Sequence, residues 1–344
     1  MKKTKFFMGL MTAMVLMSCG QKNNLSGAGA TFPAPFYNIV FKSFTEKTGN
    51  GVTYGAVGSG GGIRSLRDRT VDFGATDVFL SDAELADMGG EIVHIPTCLG
   101  AVVLSYNVKE ISELKLTAEL ISDIFRGKIT KWNDEKIKEI NPDLNLPNKT
   151  ITPVYRSDGS GTTAVFSEYM CKANEAWKNE IGEGKSLKFP VGVAGKGNPG
   201  VAGIIDATDG SIGYIGSEYA LALGLPVASL QNRNGIFVLA NDKSISAAAD
   251  IEIPADTRTS ITNSSNPDAY PISTFTWLIA YKEQSYNNRT EEQAKALKAL
   301  FSHIISAEGQ EVASKTHYAP LSENVREKTV NVIQSITYGG KEIK

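Results

Sequence analysis

Apolar positions recur along this chain with two spacings, one near 3.6 residues and one near 2, and their alternation predicts a mixed α/β protein. Phe36, Ile39, Val40 and Phe44 share one helical stripe between Pro35 and Thr48, and Gly49 is the expected stop. Val52–Val57 reads as a strand, 58–62 as a loop, Ile63–Arg69 as a short helix and Val71–Ala75 as a second strand, together a βαβ unit. Ser81 and Glu84 have the spacing of a capping box, so a helix should open at Asp82. Two apolar strands follow, Ile92–Ile95 and Ala101–Tyr106. Farther on, Thr150–Tyr155 reads as a strand and Thr162–Cys171 as a helix that buries Val165, Phe166 and Tyr169. Thr274–Tyr281 is another apolar strand, and amphipathic helices are expected near Glu292–Ile305 and Ala307–Lys315. No internal repeat is visible.

A chain of 344 residues exceeds one compact core and predicts two α/β lobes with a cleft between them. Its 42% hydrophobic and 21% charged residues are those of a globular protein. Residues 1–18 carry Lys2, Lys3 and Lys5 ahead of the apolar run Phe6–Met17, which is shorter than the roughly 20 residues a spanning helix needs. They read as a secretory signal peptide. Leu16-Met17-Ser18-Cys19 resembles the lipobox of bacterial lipoproteins, although Met17 departs from the small residue usual there. The expectation is lipidation at Cys19 and a tether over 19–25, which places the folded domain on a membrane outside the cytoplasm. Cleavage removes three lysines, leaving 35 − 3 = 32 basic against 37 acidic residues and a formal charge of −5. A nucleic-acid partner is not expected.

Cys98 and Cys171 read as small buried hydrophobes rather than a disulfide. His94, His303 and His317 have no metal-ligand spacing, so neither a metal nor another cofactor is expected. The informative chemistry lies in three loops: 27–33, 58–62 and 157–162. Each is rich in glycine, carries hydroxyls and stands just before a predicted helix. The first turn of a helix leaves amides unpaired with roughly half a positive charge, and glycine lets an oxyanion approach the backbone. Residues 195–200 satisfy G-x-G-x-x-G without a convincing strand before them, and Gly184-Lys185-Ser186 lacks the first glycine of a P-loop. Ser160 lacks both the first glycine of a nucleophile elbow and a histidine nearby in sequence.

GAGATFPAP at 27–35, GSGGG at 58–62, VDFGATD at 71–77, RSDGSGT at 156–162, GKGN at 195–198, IGYI at 212–215 and YPISTFT at 270–276 resemble, in order, the phosphate-binding proteins of bacterial high-affinity phosphate importers, the PstS family. The resemblance spans nearly the whole mature chain. It implies the two-lobed type II periplasmic-binding-protein fold, with mixed sheets flanked by helices and a hinge of two crossover strands. Ala101–Tyr106 and Thr274–Tyr281 are apolar enough to be the crossings. The lobes would be 26–103 with 274–344, and 104–273. The resemblance also implies that Thr31, the Phe32 amide, Ser59 and Asp77 bind phosphate from the first lobe. Arg156, Ser160, Gly161 and Thr162 would bind it from the second, with Asp158 holding Arg156. Gly60 stands where some relatives have a second serine. The expected partners are inorganic phosphate and the permease subunits of an ABC importer, with the chain itself a monomer and not an enzyme.

Two other functions compete with that reading. A carrier of sulfate or molybdate should lack an acid in its pocket, because those ions bring no proton, and Asp77 opposes it. A phosphatase or serine hydrolase needs a metal cluster or an activated nucleophile. For the anchor, labelling with a fatty-acid analogue should be lost in Cys19→Ser, and unchanged labelling would place the lipid elsewhere.

Overall fold

The computed structural model describes residues 23–343, so the signal peptide, Cys19 and most of the tether lie outside the described residues. One eight-stranded mixed sheet organises the chain, in the order Gly51–Ala56, Asn24–Gly29, Phe73–Thr76, Ser273–Tyr281, Ile92–Tyr106, Ser211–Gly216, Thr152–Arg156 and Val193–Gly195. Helices cover it. Ile92–Tyr106 is buried over all 15 residues and Ser273–Tyr281 over all nine, which accounts for their unbroken apolar character.

The two ends of the sheet repeat one plan that has no counterpart as a sequence repeat. Asn24–Gly29 lies between two parallel partners, Gly51–Ala56 and Phe73–Thr76. Thr152–Arg156 likewise lies between Val193–Gly195 and Ser211–Gly216, also parallel. In both halves the central strand runs into a helix, Ala34–Thr48 or Gly161–Ala173, and the edge strand runs into another, Ser59–Arg67 or Gly197–Ala207. Parallel strands offer a ligand their carboxyl ends.

Ile92–Tyr106 joins the halves. Nine of its first ten residues pair antiparallel with Ser273–Tyr281, and Val102–Tyr106 pair with Ser211–Gly216. The return lies beside it, where the Val102 amide donates to the Ile272 carbonyl at 2.9 Å. The crossings therefore fall at the start of Ala101–Tyr106 and just before Thr274. Ile92–Ile95 and Ala101–Tyr106 are one strand rather than two, because the register shifts between Thr276 and Trp277 and so accommodates Pro96 and an extra residue, Thr97.

Other boundaries move by a few residues. The 58–62 segment is the first turn of the helix Ser59–Arg67, not a loop. Gly62 permits this: a Cβ there would stand 2.4 Å from the Ala28 carbonyl oxygen and the Gly29 Cα. The capping box at Ser81 and Glu84 is present, and Gly49 ends the first helix in the left-handed conformation. Cys98 and Cys171 are free thiols. A helix at Glu323–Gln334 and a short hairpin, Thr337–Tyr338 with Lys341–Glu342, follow the last helix expected from the sequence.

Candidate anion-binding site

The repeated plan brings together the ends of five strands. From the first half, Thr31 and Phe32 follow the central strand, Ser59 the edge strand and Asp77 the inner strand. From the second half come Asp158, Ser160, Gly161 and Thr162 after the central strand and Asn198 after the edge strand. Thr31, Phe32, Ser59, Asp77, Arg156, Ser160 and Thr162 are all buried. Direct bonds join the two halves: the Gly60 amide donates to the Gly159 carbonyl at 2.9 Å, and the Gly161 amide to Ser59 Oγ at 3.1 Å. Gly161 has to be glycine here. A Cβ would meet Ser59 Oγ at 2.4 Å and Asp77 Oδ2 at 2.5 Å.

Arg156 is fixed as a fork. Its Nε and Nη2 donate to the two oxygens of Asp158 at 2.8 and 2.6 Å, and Nη1 donates to Thr162 Oγ1 at 3.2 Å. Of the five N–H groups of a guanidinium these take three, which leaves two donors for a ligand. Burial alone would raise the Asp158 carboxyl, but Arg156 and the Gly197 amide at 2.9 Å outweigh it and hold that group below the ordinary carboxylate range. The Asp158 carboxyl stays ionised.

Asp77 is the opposite case. Burial raises it to about 7, against a hydrogen bond from Thr276 at 3.0 Å and the attraction of Arg156. Thr276 occupies Oδ1, and Oδ2 has no donor among the described residues. Asp77 is thus an acid raised toward neutral pH and placed among donors.

The Thr31 turn is held by its carbonyls. Tyr54, Tyr219 and Tyr318 each donate a phenolic hydrogen to one of them: Ala30 at 2.7 Å, Thr31 at 2.5 Å and Phe32 at 2.6 Å. No acceptor among the described residues takes the Phe32 amide. Ser160 Oγ accepts the Thr163 amide at 3.0 Å and caps the helix Gly161–Ala173, whose first amides have no intrahelical acceptor.

All eight residues expected at the site, with Asp158, therefore converge in one place. Sequence reasoning missed Asn198, which hydrogen-bonds both Thr31 and Thr162, the three tyrosines, and Thr276. It also missed Glu218, a carboxyl raised by burial to about 8 whose Oε1 has no partner among the described residues. The GKGN motif held the only signal for Asn198. Among the described residues no acid, thiol and imidazole cluster could hold a metal, and no helix is long and apolar enough to cross a membrane.

A family profile described as a PBP superfamily domain matches residues 18–308. The chain is 39% identical over 306 residues to the phosphate-binding protein PstS of Xylella fastidiosa, covering 88% of this chain and 82% of that one. It is 37% identical over 330 residues to the PstS protein of Haemophilus influenzae, covering 94% and 96%. Among solved structures, the phosphate-binding protein from Stenotrophomonas maltophilia superposes with a TM-score of 0.69 at 19% identity, covering 90% of this chain and 94% of that one. That last likeness bears on the fold alone, and the two-lobed binding-protein architecture is the one it shares. The identities and coverage of the first two settle descent: this chain belongs to the PBP superfamily and, within it, to the phosphate-binding protein PstS family.

Proposed function

We propose that the chain binds inorganic phosphate outside the cytoplasm and delivers it to an ABC-type importer. The observation that carries this reading is the polarity of the cleft: donors from both halves face Oδ2 of the buried Asp77, which has no donor of its own among the described residues. Phosphate at neutral pH is the complementary ion, with oxygens for the donors and a hydrogen for the acid. In this reading Thr31, Phe32, Ser59, Arg156, Ser160 and Thr162 donate, Asp77 accepts, Asp158 orients Arg156, and Gly161 lets the ion approach while its amide holds Ser59 Oγ. The lobes are 26–103 with 274–344, and 104–273. They close by a hinge at the paired crossings, and the closed form is what the permease recognises. A lipid on Cys19 would keep the chain near it, since each buried CH₂ contributes about 0.8 kcal/mol.

The relatives are phosphate-binding proteins, and the geometry gives a hydrolase little support. Ser160 Oγ is engaged by the Thr163 amide, while His94 accepts the Leu80 amide and His303 pairs with Ser43. None of these contacts builds an activated nucleophile.

Arg156→Ala should weaken phosphate binding by about 1.5–3 kcal/mol, the scale of a charge-assisted hydrogen bond, because it also strands the Asp158 carboxylate. Arg156→Lys should recover only part, since an ammonium cannot reproduce the fork. Titration calorimetry reads both, and wild-type affinity in the alanine variant would remove Arg156 from the site.

Sulfate competition tests Asp77. With its pKa raised to about 7, the empty site holds an ionised Asp77 above that pH and a protonated one below it. Only the protonated form can donate to sulfate. Sulfate affinity should therefore rise about tenfold per pH unit as pH falls from 9 toward 7, then level off. Asp77→Asn keeps an acceptor and adds donors, so it should bind sulfate at high pH and lose that dependence. A flat sulfate profile in the parent would show that the geometry of the donors, not Asp77, excludes the ion.

A further inference from the structure

Asn198 touches both halves from a position with no solvent exposure. It is the second residue of the helix Gly197–Ala207 and the counterpart, at the end of the second edge strand, of Ser59 in the first half. Its side-chain orientation follows from one contact. The Gly216 amide, which can only donate, lies 3.0 Å from Oδ1. Nδ2 must then face the cleft, where its two hydrogens reach Thr31 Oγ1 at 3.0 Å and Thr162 Oγ1 at 3.1 Å. The backbone amide of Asn198 reaches Thr31 Oγ1 as well, at 3.1 Å.

A hydroxyl has two acceptor lone pairs and one hydrogen. Thr31 Oγ1 accepts twice, from the backbone and side-chain nitrogens of Asn198. Thr162 Oγ1 also accepts twice, from Arg156 Nη1 and Asn198 Nδ2. Nothing remains to either oxygen except to donate. A threonine hydroxyl is otherwise free to turn and serve as donor or acceptor, so a site built from hydroxyls alone would not distinguish an oxyanion from a ligand bearing hydrogens. Here the choice is made before the ligand arrives.

We propose that Asn198 is a positioning residue that saturates the Thr31 and Thr162 hydroxyls as acceptors, commits both protons to the bound ion, and ties the two halves together in doing so. This rests on phosphate being the ligand. It follows that the hydrogen of the ion has no acceptor at either threonine and is directed to Asp77 Oδ2. Asn198 thus contributes to selectivity without touching phosphate.

The test is a double-mutant cycle on the mature protein, with phosphate affinity read by calorimetry for the parent, Thr31→Val, Asn198→Asp and the pair. In Asn198→Asp the atom facing the two hydroxyls accepts instead of donating, so their protons turn toward it and away from the ion. Thr31→Val should weaken binding about tenfold in the parent but less than about twofold on the Asn198→Asp background. A charge that merely repels phosphate would lower every affinity and leave the tenfold step intact, and that result overturns the proposal. Thermal melting without ligand reports folding. If the Asp variant does not fold, Asn198→Ala carries the same cycle: an unsaturated Thr31 hydroxyl is no longer obliged to donate, and the Thr31→Val step should again shrink. A step that stays tenfold there also overturns the proposal. Absence of phosphate binding by the parent would instead defeat the functional reading on which the proposal stands.

Discussion

The ion pair between Arg156 and Asp158 is the contact on which the site depends. A guanidinium whose side chain is 1% exposed costs several kcal/mol to desolvate unless its charge and hydrogens are answered. Asp158 answers two of them, Thr162 a third, and the Gly197 amide returns a bond to Asp158. Those contacts fasten the end of one strand to the starts of two helices, Gly161–Ala173 and Gly197–Ala207. The remaining positive donors have a defined direction because the others have nowhere else to go.

Charge balance then explains how a chain of negative formal charge can hold an anion. Arg156 and Asp158 cancel, so the attraction left in the cleft comes from oriented dipoles: hydroxyls, a guanidinium edge and helix-start amides. These act over short distances in a water-poor site, where they are stronger than surface charges. Asp77 adds an acid that the same dry environment raises to about 7. Its cost falls when the ligand brings a hydrogen, and rises when it does not. On the proposed reading, selectivity between two ions of similar size rests on one proton.

Much of this was legible in the sequence because glycine clusters before helices leave a strong local mark. The three segments at Thr31, Ser59 and Ser160 show it, and all of them reach the candidate site. The strand Asn24–Gly29 left almost none: NLSGAG has a single large apolar residue, and it is a strand because it pairs on both sides. The edge strand Val193–Gly195 is three residues long with Val193 and Ala194 exposed, so hydrophobic patterning could not reveal it or mark Asn198 beyond it. The tyrosines that hold the Ala30–Phe32 carbonyls come from three distant segments, and only tertiary contact assigns them. The helix Glu323–Gln334 does carry a signal, Val325, Thr329 and Ile333 at four-residue spacing.

The central claim is that donors and one proton-accepting acid select phosphate. Titration calorimetry of the purified mature protein at pH 8, first with phosphate and then with sulfate, tests it most directly. The account predicts saturable 1:1 phosphate binding and sulfate weaker by about tenfold or more, because sulfate needs a protonated Asp77 and an acid raised to about 7 is protonated in roughly one molecule in ten at pH 8. Comparable affinity for both ions, or no binding of phosphate, would contradict it.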